Sequence, residues 1–264
     1  MKVNFYKPNH PVLEKYIEGY YFIAKDDSNA TLNYITFPDN YFIISACENV
    51  LFFRNQNKVE ISASDEENIF IDFVSRCNSP VEIRYKQPIN EITVYFKPLG
   101  IYHFFSSAES RFLEQEIISS DCKEVMKTIL TKQDRKNQID MLEKYWLSKY
   151  QEKELTTVQS IVNDLYSDLK IEEIAEKHSI SRQYVNKLCT KFLGKSASEF
   201  RKIQRFRNSV SLNKSVKNLT ELSYENLFYD QSHFIKNFKN LTKIQPHKFF
   251  ENVNTEDKNL WLFI

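Results

Sequence analysis

One local pattern in this chain occurs twice. Val185-Asn186-Lys187-Leu188-Cys189 and Phe234-Ile235-Lys236-Asn237-Phe238 lie 49 residues apart, and the same offset carries Phe192 onto Leu241, Ala197 onto Pro246 and Phe200 onto Phe249. At 48 residues Ile174-Ala175 fall onto Leu222-Ser223, so the copies differ by one residue in the turn. Repetition of both apolar and cationic positions requires one local structure to be built twice.

The first copy shows what that structure is. Ile171, Ile174 and Ala175 form an apolar i, i+3, i+4 stripe, which breaks at the polar pair His178-Ser179. Ser181 offers an N-cap hydroxyl to the next helix. In that helix Tyr184, Val185, Leu188, Cys189 and Phe192 are expected to face inward, and Arg182, Gln183, Asn186, Lys187 and Thr190 outward. Gly194 stands where a helix ends in the left-handed conformation. Ser196-Ala197-Ser198-Glu199 matches the capping box that opens a new helix. The small Ala175 allows two helix backbones to approach, and the outward face carries amides and cations, the groups that read base edges and phosphates. The pattern is a helix-turn-helix. Phe200 to Leu212 can supply a helix joining the copies, and two such units can address successive major-groove segments about 34 Å apart.

In this form the sequence resembles the AraC/XylS transcription regulators. The residues that carry the resemblance are Ile174-Ala175, Ser181, Val185, Lys187-Leu188, Gly194, Phe200, Arg205-Phe206 and Ser209. In the second copy they are Leu222, Phe228, Asp230, Ser232-His233-Phe234, Phe238-Lys239, Pro246 and Phe249. The resemblance spans residues 155–252 and implies a seven-helix DNA-binding domain with one recognition helix per unit. By position, it assigns DNA reading to Arg182, Gln183, Asn186 and Lys187 in the first unit and to Gln231, Ser232, His233 and Lys236 in the second. Thr190, Lys202, Arg205 and Lys239 complete the DNA-contacting set. Leu227 and Lys243 stand where such regulators carry glycine. A β-carbon at a left-handed position costs on the order of 1 kcal/mol, so either the turn shifts or the strain is carried.

Charge follows the same division. From Leu155 onward there are 17 Lys and Arg against 12 Asp and Glu, a surplus of five, whereas the preceding residues carry 19 against 23. Between Ser181 and Ser209 eight cations (Arg182, Lys187, Lys191, Lys195, Arg201, Lys202, Arg205, Arg207) accompany a single acid, Glu199. A solvated helix face mixes signs, so this bias predicts a phosphate-facing surface. The acidic half is not expected to touch DNA.

That half reads as strands. Tyr20–Ile23, Leu32–Phe37, Tyr41–Ala46, Val50–Phe53, Val59–Ile61, Ile69–Val74, Val81–Tyr85 and Ile92–Phe96 are β-branched and aromatic, separated by turn signals such as Pro38-Asp39-Asn40 and Asn55-Gln56-Asn57. Short strands at close intervals predict a barrel or sandwich. Helices are expected at Ile101–Phe105, Cys122–Leu130 and Ile139–Tyr150. The expected fold class is therefore two-domain α+β. A β-rich domain over residues 1–105 precedes a helical linker or dimerisation segment over 106–154. An all-α domain over 155–252 carries the two helix-turn-helix units, and 253–264 is a tail. Pro11-Val12-Leu13, Tyr16-Ile17, Tyr20-Tyr21, Phe37-Pro38-Asp39 and Phe96-Lys97-Pro98-Leu99-Gly100 also resemble the sensor domain of one AraC subgroup. This implies a cupin-like fold for ligand sensing or assembly. The aromatic residues there are accounted for equally by core packing and by an apolar pocket.

Several classes are excluded. The five histidines (His10, His103, His178, His233, His247) show no HxH or HExxH spacing, so no metal site is expected. Three glycines in the whole chain rule out a P-loop or dinucleotide fingerprint, and no cofactor is expected. Asp39, Asp72, Glu82 and Glu91 read as solvated strand ends and turns rather than catalytic acids. The chain is not expected to be an enzyme. Cys47, Cys77, Cys122 and Cys189 are widely spaced in apolar settings and read as buried thiols of a reducing cytoplasm. The N-terminal stretch lacks a signal-peptide pattern, and no apolar run approaches the roughly 20 residues of a membrane helix.

The expected function is sequence-specific binding of double-stranded DNA by a cytoplasmic transcription regulator of the activator kind. RNA polymerase, a small-molecule effector and a second copy of the chain are the other partners such a regulator implies. Two alternatives remain: an architectural binder without sequence preference, and a protein-interaction adaptor that uses a degenerate second unit.

Overall fold

A computed structural model describes residues 3–25, 31–74, 77–105, 120–212, 219–226 and 230–252. Contacts divide the chain into two units: Met1–Asn33, Tyr41–Ser75 and Ile83–Glu154 form the first, and Tyr34–Asn40, Arg76–Glu82 and Leu155–Ile264 the second. This differs from a single cut near residue 155. Two short pieces of the β-rich half belong with the C-terminal helices, and the described part of segment 106–154 belongs to the first unit. The tail expected at 253–264 lies outside the described residues.

The strands are β1 (Val3–Tyr6), β2 (Ile17–Ile23), β3 (Leu32–Thr36), β4 (Phe42–Glu48), β5 (Val50–Asn55), β6 (Lys58–Ala63), β7 (Ile69–Val74), β8 (Val81–Tyr85) and β9 (Asn90–Phe96). They form a five-stranded sheet in the order β1-β2-β9-β4-β7 and a four-stranded sheet in the order β3-β8-β6-β5. All eight expected strands are present. The additional β1 was too short to show alternation, and α1 (Pro11–Tyr16) is a short helix opened by proline in its first turn and by His10, whose Nδ1 accepts from the Val12 amide at 3.2 Å. β9 is buried along nearly its whole length, as expected of the central strand of its sheet.

Helices α2 (Ser120–Leu130) and α3 (Arg135–Lys149) complete this unit. α2 packs on β4, β7 and β9, and α3 contacts both α2 and α1. Trp146 of α3 is fully buried, edge-on to Phe96 and Phe104. Gln138 Nε2 donates to the carbonyls of Ile129 and Lys132 at 3.1 and 2.9 Å, which holds the turn between the helices. The segment Lys97-Pro98-Leu99-Gly100 leads into a 3₁₀ turn, Gly100–His103. A β-carbon on Gly100 would lie 2.2 Å from the Tyr16 carbonyl oxygen, so only glycine fits there.

The acids expected at solvated ends are instead mostly interior. Asp39, Asp72 and Glu91 are 2%, 9% and 1% exposed, and Glu82 is half-buried. Burial of a carboxylate requires donors, and they are present. Glu91 accepts from the Tyr21 hydroxyl, from Tyr85 at 2.7 Å and from Thr93 at 2.8 Å. Arg54 Nη2 reaches Asp72 at 2.6 Å. The four cysteines are free and buried, and burial raises the thiol of Cys189 to about 12.

The second unit contains seven described helices: α4 (Thr156–Leu165), α5 (Ile171–Lys177), α6 (Arg182–Leu193), α7 (Ala197–Leu212), α8 (Leu219–Glu225), α9 (Gln231–Thr242) and α10 (Pro246–Asn252). α7 runs through its centre, in contact with α4 and α6 and also with α8 and α9. Its Phe200 meets Tyr166 edge-on, while its Phe206 and Val210 join a core with Leu222, Phe234, Phe238 and Phe249. Phe37, fully buried, completes that core, with its ring 4.9 Å from Phe249 and 6.5 Å from Phe206.

Candidate nucleic-acid interface

Each helix-turn-helix is assembled by local chemistry. In the first, α5 ends at His178, and Ser179 takes φ +54°, turning the chain so that the Ile180 amide donates to the Ala175 carbonyl at 3.0 Å. Asp164 of α4 receives Lys177 Nζ at 2.6 Å and lies 2.8 Å from His178 Nε2, fastening the turn to α4. Lys177, with His178, holds the Asp164 carboxyl below its usual range. Ser181 Oγ then accepts from the Tyr184 amide at 3.1 Å and opens α6. Gly194 closes it at φ +69°. The capping box forms as expected, with the Glu199 amide donating to Ser196 Oγ at 3.2 Å and the Ser196 amide to Glu199 Oε2 at 2.8 Å.

The second unit repeats this plan. α9 has the same length as α6, 12 residues. Asp230 caps it, accepting from the His233 amide at 2.7 Å. Lys243 closes it at φ +63°, so the turn keeps the left-handed geometry and the lysine carries the strain. Lys243 Nζ folds back onto the Asn240 carbonyl at 2.9 Å, satisfying one of the helix's terminal acceptors. Leu227, the other glycine replacement, lies outside the described residues.

Caps at matching positions put α6 and α9 in one-to-one register, and beyond the first residue the same positions are exposed in both. In α6 these are Arg182, Gln183, Tyr184, Lys187, Thr190 and Lys191. In α9 Ser232, His233, Lys236, Lys239 and Asn240 are exposed, and Gln231 is half-buried. Arg182 pairs with Glu172 of α5 at 2.6 Å, holding that carboxyl below its usual range. Both partners are exposed, and such a pair opens at little cost. Gln231 Oε1 accepts from the Thr220 hydroxyl at 3.1 Å. Among the described residues, Gln183, Lys187, Thr190, Ser232 and Lys236 make no side-chain hydrogen bond or ion pair, which leaves these groups available to a ligand.

Three expectations from sequence change. Tyr184, expected inside, is 45% exposed. Asn186, expected on the reading face, is half-buried: its Oδ1 accepts from the Ala197 amide at 3.2 Å and its Nδ2 donates to the Arg182 carbonyl at 3.3 Å. The eight cations do not form one phosphate-facing set. Arg182, Lys187, Lys191 and Lys202 are exposed. Lys195, only 3% exposed, donates to the Asp39 carbonyl at 2.7 Å. Arg207 donates to the carbonyls of Pro38 and Phe37 at 2.7 and 2.6 Å. Arg201 and Arg205 are half-buried, and burial lowers the pKa of each. A charge count cannot separate a lysine that seeks phosphate from one that ties down carbonyl oxygens. The signal that would have exposed Tyr184 was present in the repeat: its counterpart at the 49-residue offset is the polar His233.

No helix among the described residues is long and apolar enough to cross a membrane. Residues 174–252 match a family model described as a helix-turn-helix domain. A search of curated proteins finds no match. Among solved structures, the chain is similar to ToxT from Vibrio cholerae, with 13% identity over 88% of this chain and 96% of that one, at a TM-score of 0.42. An apo ToxT variant from strain SCE256 shares 14% over 93% and 99%, at 0.42. Wild-type ToxT bound to an unsaturated fatty acid shares 14% over 87% and 92%, at 0.39.

Proposed function

We propose that this helix-turn-helix protein is a sequence-specific, DNA-binding transcription regulator, with α6 and α9 entering two successive major-groove segments. The observation that carries this reading is the shared register of the two helices: equal length, equivalent caps, and the same positions exposed beyond the first residue. A helix needs an exposed, polar face to enter a groove, and both have one. Arg182, Gln183, Lys187 and Thr190 read or position the first segment, and Ser232, His233, Lys236 and Lys239 the second. Lys202 is exposed on α7 and contacts phosphate. Affinity arises from phosphate neutralisation and counterion release, and discrimination from amide and guanidinium contacts to base edges.

The β-rich unit has the sensing or oligomerising role that the AraC/XylS resemblance implies, with a small-molecule effector or a second copy as its partner, and the bound regulator acts on RNA polymerase in the cytoplasm. Lys243 in its left-handed position supports a second unit that is built like the first, rather than one remodelled as an adaptor.

Selection of bound duplexes from a random pool, repeated over a salt series, tests the reading. A recovered motif with two segments one helical turn apart is the expected result. A pool without enrichment, bound with a steep salt dependence, means an architectural binder instead.

A further inference from the structure

We propose that Tyr184 is a specificity-determining residue of the first unit, its ring lying against the C5-methyl group of a thymine in the major groove, and that Asn186 serves as a positioning residue. This rests on the function proposed above and names a base contact within the same site.

Tyr184 is the third residue of α6, and its backbone amide is fixed by Ser181 Oγ at 3.1 Å. That anchors its Cα in the first turn, the part of a recognition helix that meets base edges. It is one of five large hydrophobics that remain exposed among the described residues, and its hydroxyl makes no hydrogen bond there. Tyr184, Lys187 and Lys191 recur at i, i+3 and i+7, a stripe beside that of Gln183, Lys187 and Thr190. Lys187 belongs to both and marks the centre of the exposed face. On a face otherwise composed of amides, hydroxyls and cations, the tyrosine ring offers apolar area. The thymine methyl is the apolar group that the major groove presents.

Asn186 has the opposite character. Its amide oxygen takes the Ala197 N–H, one of the unpaired donors at the start of α7, and its amide nitrogen returns to α6 at the Arg182 carbonyl. Both ends are used within the fold: the oxygen ties α6 to the start of α7, and the nitrogen bonds back within α6. The second unit has His233 at the position equivalent to Tyr184, a polar imidazole in place of the phenol ring. The two segments are therefore read by different chemistry despite the shared scaffold.

The test uses the full chain and the duplex that it selects. Each thymine is replaced in turn by deoxyuridine, which deletes only the methyl group. One replacement, in the segment read by α6, is expected to weaken binding of the parent roughly fourfold, the value of one buried methyl. Tyr184→Ala is expected to lose that sensitivity, and Tyr184→Phe to keep it. Asn186→Ala is expected to retain the thymine preference while melting at a lower temperature, and partial recovery in Asn186→Asp, which keeps the acceptor for the Ala197 amide but loses the donor to the Arg182 carbonyl, supports the positioning role. A methyl effect that persists in Tyr184→Ala, or none at any thymine, overturns the assignment and leaves the proposed function standing. A parent that selects no sequence overturns both.

Discussion

Lys195 Nζ donates to the backbone carbonyl of Asp39 at 2.7 Å, from a side chain that is only 3% exposed. Burial drives its pKa below 10.5, with the Asp39 carboxylate opposing. A lysine with a depressed folded-state pKa binds fewer protons in the native than in the unfolded chain. Stability attributable to it therefore rises with pH between the folded value and 10.5, and stays at its lower level below the folded value. In Lys195→Met that dependence is lost. The stability difference between parent and variant, from denaturant midpoints, is expected to move in favour of the parent as pH approaches 10.5. A difference that does not vary with pH would show that the ammonium is solvated.

Phe37 fills the centre of the α7–α9–α10 core, although its neighbours in sequence are strands. Replacing a fully buried phenylalanine by alanine typically costs about 3–5 kcal/mol. Phe37→Ala is expected to destabilise the second unit by that order in urea unfolding and to weaken DNA binding by unsettling α9. Destabilisation below about 1 kcal/mol would mean that the ring is dispensable to this core.

Phosphate and base contacts predict different behaviour on the two faces. Lys202→Ala is expected to weaken all sequences alike and to lower the slope of log affinity against log salt by about one. Gln183→Ala is expected to lose roughly 1–3 kcal/mol of discrimination at particular bases and to leave the salt slope intact. Quantitative binding to selected and scrambled duplexes at several salt concentrations separates the two. An identical loss on both duplexes in Gln183→Ala removes that residue from the reading set.

Lys243→Gly is expected to stabilise the chain by somewhat less than about 1 kcal/mol. Relief of the left-handed strain is offset in part by loss of the Nζ bond to Asn240. Thermal unfolding measures the net effect. A destabilised variant would mean that the lysine's own contact outweighs the backbone strain.

Features that are local in sequence were legible, and those settled at a distance were not. Ser181, Gly194 and the Ser196–Glu199 box are written within four residues of where they act, and each forms as its chemistry requires. Strand positions were equally readable, because β-branched and aromatic runs leave few other options. The destinations of Asp39, Glu91, Lys195 and Arg207 depend on residues far away in the chain. Glu91 meets Tyr21 at a separation of 70 residues, and Arg207 meets Phe37 at 170. Composition around such residues reads as surface, and only the fold reveals the donor or carbonyl waiting for each. Asn186 and Tyr184 show the same limit at short range: a helical wheel places both near the boundary of the buried face, and the Ala197 amide of α7 draws in Asn186 while Tyr184 stays exposed.

Because α7 lends one end to each half of the reader, α6 and α9 are mounted like the jaws of a fixed-gauge calliper. Neither jaw can swing without disturbing a shared shaft packed with Phe200 and Phe206. A linker-joined pair would tolerate variable distance between its targets, and this pair is expected not to. Inserting about five base pairs between the two segments turns the second by half a helical turn onto the far side of the duplex, and the grip should revert to a single jaw.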